Sequence, residues 1–407
     1  MSLLDIKHEV KNKFAKSNPR FLESMFGSTE VTPLWIADMD FKVAEPITKE
    51  LARLVERGIY SYEFIEKDVF KAIKDWNFRR NQLDLNTKAF LQVPGVLTGI
   101  SLLVRELSKE GEGVVVQTPV YHQFFKVIKS AKREVVENPL KIIEGKYTID
   151  FEDLELKFKN ENVKLMILCN PHNPVGRVWT KEEMTKLIEL ANQYDVTIIS
   201  DEIHSDIIFS PSKFTSIVSL DTLNKHVAVI GSPAKTFGMH SISNGYLYIS
   251  NEEIHKQLKD VITGMYLDHG NALSAYATIA AYTQGEDWLN ELLAYLQKTN
   301  NWIEDFVEKE LPEVKLFKPE GTYQIWLDFS SLNLSEDALN HLVVDKANLA
   351  LTPGNWFGDN HSSFMRLNTA STLSTIQEAF TKLKEAIKCG VDVKGLDNKS
   401  QGSCCSC

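Results

Sequence analysis

Hydrophobic and polar residues between positions 163 and 206 follow the order expected of a strand–helix–strand unit. Residues 165–168 and 196–199 are two short apolar runs. Between them, Thr180 and Glu183 have the spacing of a helical capping box. The positions that follow place apolar residues on one helical face: Met184, Leu187, Ile188 and Ala191. Two apolar runs flanking an amphipathic helix predict two strands of a parallel sheet.

A polar cluster follows each of these predicted strands. Residues 170–176 read Asn-Pro-His-Asn-Pro-Val-Gly, and residues 201–204 read Asp-Glu-Ile-His. In parallel sheets, ligands bind just beyond the carboxyl ends of the strands. The pattern therefore predicts a binding site where the two clusters meet.

The alternation of strands and helices continues to about residue 285, which predicts an α/β fold with a doubly wound, mostly parallel sheet of about seven strands. Further strands are expected at residues 91–93, 113–117, 226–230 and 245–250, and helices at 47–57, 70–80 and 100–107. At residues 94–99 a glycine-bracketed turn leads from a strand into a helix. The free N–H groups and the dipole of that helix end favour an anion.

Beyond residue 286 the pattern changes to fewer strands mixed with helices, which indicates a smaller α+β domain. We predict four segments. They are a mostly irregular N-terminal arm that joins the small domain (1–45), a large domain (46–285), the small domain (286–390) and a disordered polar tail (391–407).

Composition narrows the function classes. The 407 residues carry a net charge of −10, which argues against a nucleic-acid partner and against an anionic membrane surface. No apolar run approaches the ~20 residues that span a bilayer, and the first residues lack a signal-peptide core, so a cytoplasmic location is expected. The five cysteines show no paired zinc-ligand spacing, so no metal site is predicted.

The side chains at the predicted strand ends form a chemically specific set. A turn suited to a phosphate is followed along the chain by Tyr121, Asn173, Asp201 and Lys235. Pyridoxal 5′-phosphate requires such a set, because its phosphate binds helix-terminal N–H groups and its ring stacks on an aromatic side chain. Its ring nitrogen pairs with a carboxylate, and its aldehyde forms a Schiff base with a lysine.

These ordered motifs resemble the fold type I pyridoxal-phosphate enzymes of the class I/II aminotransferase superfamily, over about residues 30–385. Three segments are similar to the cystathionine β-lyase (MalY/PatB) branch: 35–41 (Trp-Ile-Ala-Asp-Met-Asp-Phe), 201–206 (Asp-Glu-Ile-His-Ser-Asp) and 235–237 (Lys-Thr-Phe). Segment 170–176 is shared with aminotransferases, although Val175 stands where threonine is commoner.

The resemblance implies roles for the residues around the cofactor ring. Lys235 would form the Schiff base and remove the substrate α-proton. Asp201 would keep the ring nitrogen protonated, and its nearness to the positive ring would lower its own pKa. Asn173 would contact the ring hydroxyl and lie near the substrate, and Tyr121 would stack on the ring. Without the resemblance, these residues could be a surface lysine, a strand-end cap, a turn residue and a core residue.

The resemblance also implies a phosphate site that two subunits share. Val96 and Leu97 would offer backbone N–H groups, and Ser232 its hydroxyl. Tyr62 would reach the phosphate from the neighbouring subunit of a homodimer, with Tyr60 as the competing candidate. One departure concerns residues 238–245, where many aminotransferases place an arginine near position 243 and this chain has none. His240 or Tyr62 would then compensate.

Three further residues complete the predicted site. Arg366, in Met-Arg-Leu-Asn, would bind the substrate α-carboxylate through two hydrogen bonds. Ala37 would line the approach of the substrate through its backbone. His204 would either tune the ring hydroxyl or support Asp201.

The implied activity is that of a C–S β-lyase, which cleaves cystathionine, cystine or another cysteine S-conjugate to pyruvate, ammonia and a thiol. An aminotransferase of class I/II could use the same residues, and one sequence leaves both readings open. A non-catalytic regulator that binds the cofactor is a third reading, against which Lys235, Asp201 and Arg366 all argue.

Overall fold

The computed structural model describes residue 4 and residues 13–223 and 225–390; the predicted disordered tail, 391–407, lies outside this described part. Its strands are β1 (Thr32–Pro33), β2 (Phe90–Val93), β3 (Gly113–Val116), β4 (Glu134–Glu137), β5 (Lys141–Ile143), β6 (Lys146–Thr148), β7 (Val163–Cys169), β8 (Thr197–Asp201), β9 (Val227–Gly231), β10 (Gly245–Ile249), β11 (Lys315–Phe317), β12 (Gln324–Asp328), β13 (Leu349–Ala350), β14 (Thr352–Pro353) and β15 (Phe364–Asn368).

The α-helices of the described residues alternate with these strands in the first two thirds of the chain. They are α1 (Pro19–Phe26), α2 (Glu45–Arg57), α3 (Glu66–Asn81), α4 (Val96–Glu106), α5 (Gln123–Ser130), α6 (Phe151–Phe158), α7 (Lys181–Tyr194), α8 (Ala234–Phe237), α9 (Glu252–Gly264), α10 (Ala272–Gln284), α11 (Glu286–Glu310), α12 (Glu336–His341) and α13 (Leu373–Cys389).

The larger of two compact units comprises Phe41–Gln297 and Pro319–Tyr323 and contains a seven-stranded sheet. The strand order is β2-β10-β9-β8-β7-β3-β4. Strand β10 is antiparallel to β2 and β9, and the other neighbouring strands are parallel. The predicted α/β fold with a mostly parallel sheet is therefore confirmed, with a mixed edge at β10.

The core of this unit lies on both faces of the sheet. Strands β3 and β9 are buried at every residue, and β7 at all but one. Strands covered on both faces need continuous apolar runs, which is the pattern seen at 165–168. Gly99 lets α4 approach the sheet closely, because a Cβ at this position would lie 2.4 Å from Cδ1 of Ile230.

The smaller unit comprises Met1–Asp40, Lys298–Lys318 and Gln324–Cys407. An antiparallel sheet in the order β11-β12-β15-β14 packs with α12 and α13, and β1 pairs in parallel with β13. The domain boundaries at residues 45 and 285 stay a prediction, since compact units are defined by contacts and not by independent folding. None of the helices in the described residues is long and apolar enough to cross a bilayer.

The N-terminal arm contains a helix where a mostly irregular segment was predicted. The Asn18 side chain accepts a hydrogen bond from the Arg20 N–H (3.0 Å), and Pro19 occupies the first turn of α1. Gly27 ends the helix in the left-handed region (φ 68°). An N-cap Asn followed by Pro, with Gly nine residues after the Asn, is a recognisable helix signal, but only Leu22 of this helix is buried.

Candidate active site

The first part of the site is the N-terminus of α4. No side chain of the described residues caps its first N–H groups, and its first turn holds no acidic residue. Gly245 lies close against this helix end, since a Cβ there would be 3.1 Å from the Val96 nitrogen and 3.0 Å from the Gly95 carbonyl carbon. The N–H groups of Val96 and Leu97 therefore lie at an uncapped helix end of the kind that favours an anion, and their role in phosphate binding stays a prediction.

Ser232 directly follows β9. Its hydroxyl donates to the Asn244 carbonyl (2.9 Å), one residue before Gly245, and accepts a hydrogen bond from the Ala234 N–H (3.2 Å). The Ser243 hydroxyl lies 3.4 Å from that of Ser232. Position 243, near which many aminotransferases have an arginine, therefore carries a neutral hydroxyl next to Ser232 in this chain.

Asp201 is the last residue of β8 and is 4% exposed. Its Oδ1 accepts a hydrogen bond from the Ile203 N–H (3.1 Å). Burial raises the pKa of Asp201 to about 7, although the Ile203 N–H and the charge of Lys235 act in the opposite direction. A carboxyl group in this position ionises readily only when a positive group faces it.

Lys235 lies on the short helix α8, which follows β9 and ends at Gly238 in the left-handed region (φ 71°). Its side chain is half-buried, and its charge favours ionisation of Asp201, so the two groups lie within electrostatic reach of each other. The structure thus places the predicted lysine and the predicted carboxylate at the same edge of the sheet.

Asp206 fixes the helix that carries Lys235. One carboxylate oxygen of Asp206 accepts from the Thr236 hydroxyl (2.8 Å) and the other from the Trp76 indole N–H (2.9 Å). All three side chains are buried. Asp206 belongs to the motif at 201–206, but no role was predicted for it. Its position in that motif was the only available signal, because both partners are distant along the chain.

The segment 170–176 connects the ends of three strands. The Asn170 N–H donates to the Asp201 carbonyl (3.0 Å). Nε2 of His172 lies 2.8 Å from the Pro119 carbonyl and must carry the proton to donate to it. Burial lowers the pKa of His172 to about 4, so the ring is neutral at physiological pH. Asn173, the predicted ring contact, is also buried in this segment.

Tyr121 follows β3 near the His172 contact. It is half-buried, and its ring meets the rings of Phe124 (5.6 Å) and His122 (5.1 Å) edge to face. The ring of His204, next to Asp201 in the sequence motif, meets Tyr323 edge to face at 5.6 Å. Nε2 of His240 lies 3.4 Å from the Tyr323 hydroxyl. Tyr323, to which no role was predicted, thus contacts both candidate histidines.

Arg366 and Ala37 belong to the smaller unit. Nη2 of Arg366 donates to the Trp35 carbonyl (2.7 Å) and to the Thr352 hydroxyl (3.2 Å), and its guanidinium carbon lies 5.0 Å from the centre of the Phe357 ring. The side chain is buried. Ala37 is half-buried in a turn closed by a hydrogen bond from the Asp38 N–H to the Ile36 carbonyl (2.9 Å).

Tyr62 and its neighbours are exposed in the larger unit. Tyr62 is 92% exposed, Phe64 95% and Tyr60 67%. Glu63, between them, accepts hydrogen bonds from the Tyr276 hydroxyl (2.6 Å) and from Arg57 (2.7 Å). The loop is therefore anchored at Glu63 while it presents aromatic side chains outward.

The groups at the sheet edge fit pyridoxal phosphate by their chemistry. Uncapped helix N–H groups and the Ser232 hydroxyl suit a phosphate, and Tyr121 suits the face of a ring. The buried Asp201, whose pKa is raised, suits a protonated ring nitrogen, and Lys235 suits an aldehyde. Among the described residues, no group of three or more His, Cys, Asp or Glu side chains is arranged to hold a metal ion.

Comparison with known proteins agrees with this fit. Cystathionine beta-lyase PatB of Bacillus subtilis (strain 168) is 37% identical over 89% of this chain and 94% of its own length. The structure of cystalysin from Treponema denticola, which contains pyridoxal 5′-phosphate, matches with a TM-score of 0.90 and 32% identity over 95% of this chain and 98% of that one. A PLP-bound C-S lyase from Staphylococcus hominis matches with a TM-score of 0.87 and 28% identity, over 94% and 97%.

The sequence model described as aminotransferase class I and II matches residues 31–383, which is most of the chain. The resemblance inferred from the motifs at 35–41, 170–176, 201–206 and 235–237 is thereby confirmed. The chain belongs to the class I and II aminotransferase family.

Proposed function

We propose that the protein is a pyridoxal-phosphate-dependent C–S β-lyase that converts cystathionine or another cysteine S-conjugate into pyruvate, ammonia and a thiol. One observation carries the proposal. Lys235, on the helix that follows β9, and the buried Asp201, at the end of the neighbouring parallel strand β8, lie at the same edge of one sheet, in a chain 37% identical to a cystathionine beta-lyase over 89% of its length. The cytoplasmic location and the lack of a nucleic-acid or membrane partner stay predictions from composition.

The cofactor, when bound, supplies an aldehyde that links to an amine and a ring that accepts negative charge. Asp201 would hold the proton on the ring nitrogen, Asn173 would contact the ring hydroxyl and Tyr121 would stack on the ring. The α4 N–H groups and the Ser232 hydroxyl would bind the phosphate. These roles are supported by the positions of the five groups at the carboxyl edge of one sheet.

Lys235 does the proton chemistry. With the cofactor bound, the Nζ of Lys235, in its unprotonated form, would accept the α-proton of the amino acid. Arg366 binds the substrate α-carboxylate, and Ala37 borders the substrate through its backbone. Loss of the α-proton places negative charge next to Cβ, from which the thiolate leaves.

A substrate panel tests the proposal. Purified protein loaded with pyridoxal phosphate is expected to release pyruvate without any added keto acid, together with the thiol homocysteine from L-cystathionine and with cysteine persulfide from L-cystine. Both products are measured together over time, with S-free L-alanine as the matched substrate that has no leaving group. Turnover that requires 2-oxoglutarate and gives no thiol would instead identify an aminotransferase.

We also propose that the active unit is a homodimer in which Tyr62 reaches the phosphate of the neighbouring subunit. Support comes from the exposed aromatic side chains on the loop anchored at Glu63. Replacement of Tyr62 by phenylalanine is expected to weaken cofactor affinity by roughly tenfold, the size of one hydrogen bond to a charged group. Cofactor affinity is measured by titration of the cofactor-free protein, followed by visible absorption.

Tyr60→Phe is the matched control for this prediction. Both hydroxyls belong to exposed side chains. Neither substitution is therefore expected to change the free energy of unfolding of the cofactor-free protein by more than about 0.5 kcal/mol. A loss of affinity in Tyr60→Phe and none in Tyr62→Phe would assign the role to Tyr60. Sedimentation of the protein as a monomer would contradict a shared site.

A further inference from the structure

The segment 35–40 of the smaller unit is held by four hydrogen bonds that reach β15 and the residues after it. Nδ2 of Asn368 donates to the carbonyls of Ile36 and Asp38, both at 2.7 Å, and so binds the backbone on either side of Ala37. The Asp40 N–H donates to the Ala370 carbonyl (3.0 Å). Nη2 of Arg366 donates to the Trp35 carbonyl, which opens the segment.

Lys16 holds the same segment from the N-terminal arm. Its Nζ lies 2.6 Å from Oδ1 of Asp38 and 2.7 Å from Oδ1 of Asp40, and its carbonyl accepts a hydrogen bond from the Trp35 indole N–H (3.0 Å). The Lys16 side chain is only 6% exposed, whereas those of Asp38 and Asp40 are 25% and 40% exposed. Burial opposes the charge of Lys16, but the attraction of Asp40 and Asp38 outweighs it and raises the pKa of the ammonium group.

Burying a lysine to hold a loop costs free energy, because the ammonium group loses its hydration. An apolar side chain of similar volume would fill the space without the loss of hydration that a buried ammonium suffers. A lysine between two carboxylates links two points of a six-residue segment to a third point on another part of the chain. An apolar residue does not form these links. Lys16 therefore restricts the backbone on both sides of position 39.

The segment is also coupled to Arg366. The Trp35 carbonyl accepts from Nη2 of Arg366 and from the Thr352 hydroxyl (2.7 Å), and that hydroxyl in turn accepts from Nη2. These three groups form a closed triangle. A displacement of residue 35 would therefore move a hydrogen-bond acceptor that fixes the guanidinium.

We propose that Lys16 and Asn368 are positioning residues for substrate recognition. They hold segment 35–40 in the conformation that presents the backbone at Ala37 and keeps Arg366 in the orientation that binds the α-carboxylate. The inference rests on the proposed function, which gives Arg366 and Ala37 their substrate roles. In this proposal Lys16 and Asn368 act through Ala37 and Arg366, so each affects substrate binding and not the chemical step.

Lys16→Met tests the inference in the holoenzyme, with Lys13→Met as the control at an exposed lysine nearby. Hydrogen exchange of the peptide that contains residues 35–40, measured by mass spectrometry without substrate, is expected to be roughly tenfold faster in Lys16→Met. KM for L-cystathionine is expected to rise roughly tenfold while kcat stays within about twofold, since the weakened contact binds the α-carboxylate equally in the ground state and in the transition state. Asn368→Ala is expected to give the same division between KM and kcat.

Two further variants keep the test informative if Lys16→Met misfolds. Lys16→Arg keeps the charge and is expected to restore most of the exchange protection and of the affinity. Asp40→Asn changes a partly exposed side chain and is expected to reproduce the Lys16→Met effect in milder form.

Unchanged exchange and unchanged KM in Lys16→Met would overturn the inference. The inference would also be overturned if kcat and the visible absorption of the bound cofactor fell by as large a factor as KM rose. If the wild-type protein released no pyruvate from cystathionine, the proposed function would fail. The exchange measurement, which needs no substrate, would still decide whether Lys16 holds the segment.

Discussion

Replacement of Lys235 by alanine is expected to lower the rate of pyruvate release from L-cystathionine by roughly 10⁴-fold or more. In the proposed mechanism the same amine holds the cofactor covalently and accepts the α-proton, and a positioned general base alone contributes up to about 10⁴-fold. The rate is measured at saturating pyridoxal phosphate, so that weaker cofactor binding does not account for the loss.

Covalent labelling tests the attachment of the cofactor to Lys235 by itself. Borohydride reduction of the wild-type holoenzyme is expected to leave the cofactor on the peptide that contains residue 235, and on no peptide of Lys235→Ala. Lys256→Ala, at an exposed position of α9, is the matched control and is expected to keep both label and activity. A label on a different lysine, or retention of more than about a tenth of the activity in Lys235→Ala, would contradict the assignment.

The strand–helix–strand unit at the centre of the chain was predictable because its signals are local. Strands β7 and β8 are covered on both faces, so each appears as a continuous apolar run in the sequence. The capping box of α7 forms as its spacing indicates, with Glu183 N–H donating to the Thr180 hydroxyl (3.1 Å) and the Thr180 N–H donating to Oε2 of Glu183 (2.8 Å). Patterns of this kind need no information about distant residues.

Elements with one exposed face were harder to predict. Strand β4 closes one edge of the seven-stranded sheet but is half-buried or exposed throughout, so its residues Glu134–Glu137 present no apolar run. The hairpin of β5 and β6 was hard to predict for the same reason, because it is largely exposed. The apolar run of β10 was recognised, but an apolar run carries no information about strand direction, and β10 is antiparallel to both its neighbours.

The candidate site divides in the same way. Residues at a strand end or directly after it, such as Asp201 and Ser232, were located by local pattern, and the resemblance supplied their predicted roles. The supporting contacts join residues far apart along the chain. Trp76 bonds Asp206 across 130 positions, and Arg366 bonds the Trp35 carbonyl across 331. Such pairs form only when the chain has folded, so no spacing in the sequence predicts them.

Replacement of Asp201 by asparagine is expected to lower lyase activity by roughly 10³-fold, the effect of removing one charged group that stabilises the reacting centre. An amide carries no charge and so does not keep a proton on the ring nitrogen, and the ring then accepts less negative charge when the α-proton leaves. Pyruvate release is measured in the variant and in Asp260→Asn, an exposed position of α9 that serves as the control. Activity within about tenfold of wild type would contradict the role of Asp201.

The same substitution is expected to change how stability depends on pH in the cofactor-free protein. Burial raises the pKa of Asp201 from 3.8 to about 7 in the folded chain. Between these values the unfolded chain has already lost the proton that the folded chain still holds. The contribution of Asp201 therefore lowers the free energy of unfolding as the pH rises from about 4 to about 7. At 1.36 kcal/mol per pKa unit, the full penalty above pH 7 is at most about 4 kcal/mol.

Asp201→Asn lacks this penalty. Its free energy of unfolding, relative to wild type, should rise by up to about 4 kcal/mol between pH 4 and pH 7.5 in denaturant titrations of the cofactor-free proteins. Asp260→Asn should show no such trend, and a pH-independent difference for Asp201→Asn would refute burial of the carboxyl group as the cause. Bound cofactor should reverse the order above pH 7, because a protonated ring nitrogen offsets the charge of Asp201 but finds no partner in asparagine. Burial makes the charged form of this carboxylate unfavourable in the cofactor-free protein. The same burial makes Asp201 favour a positively charged ring.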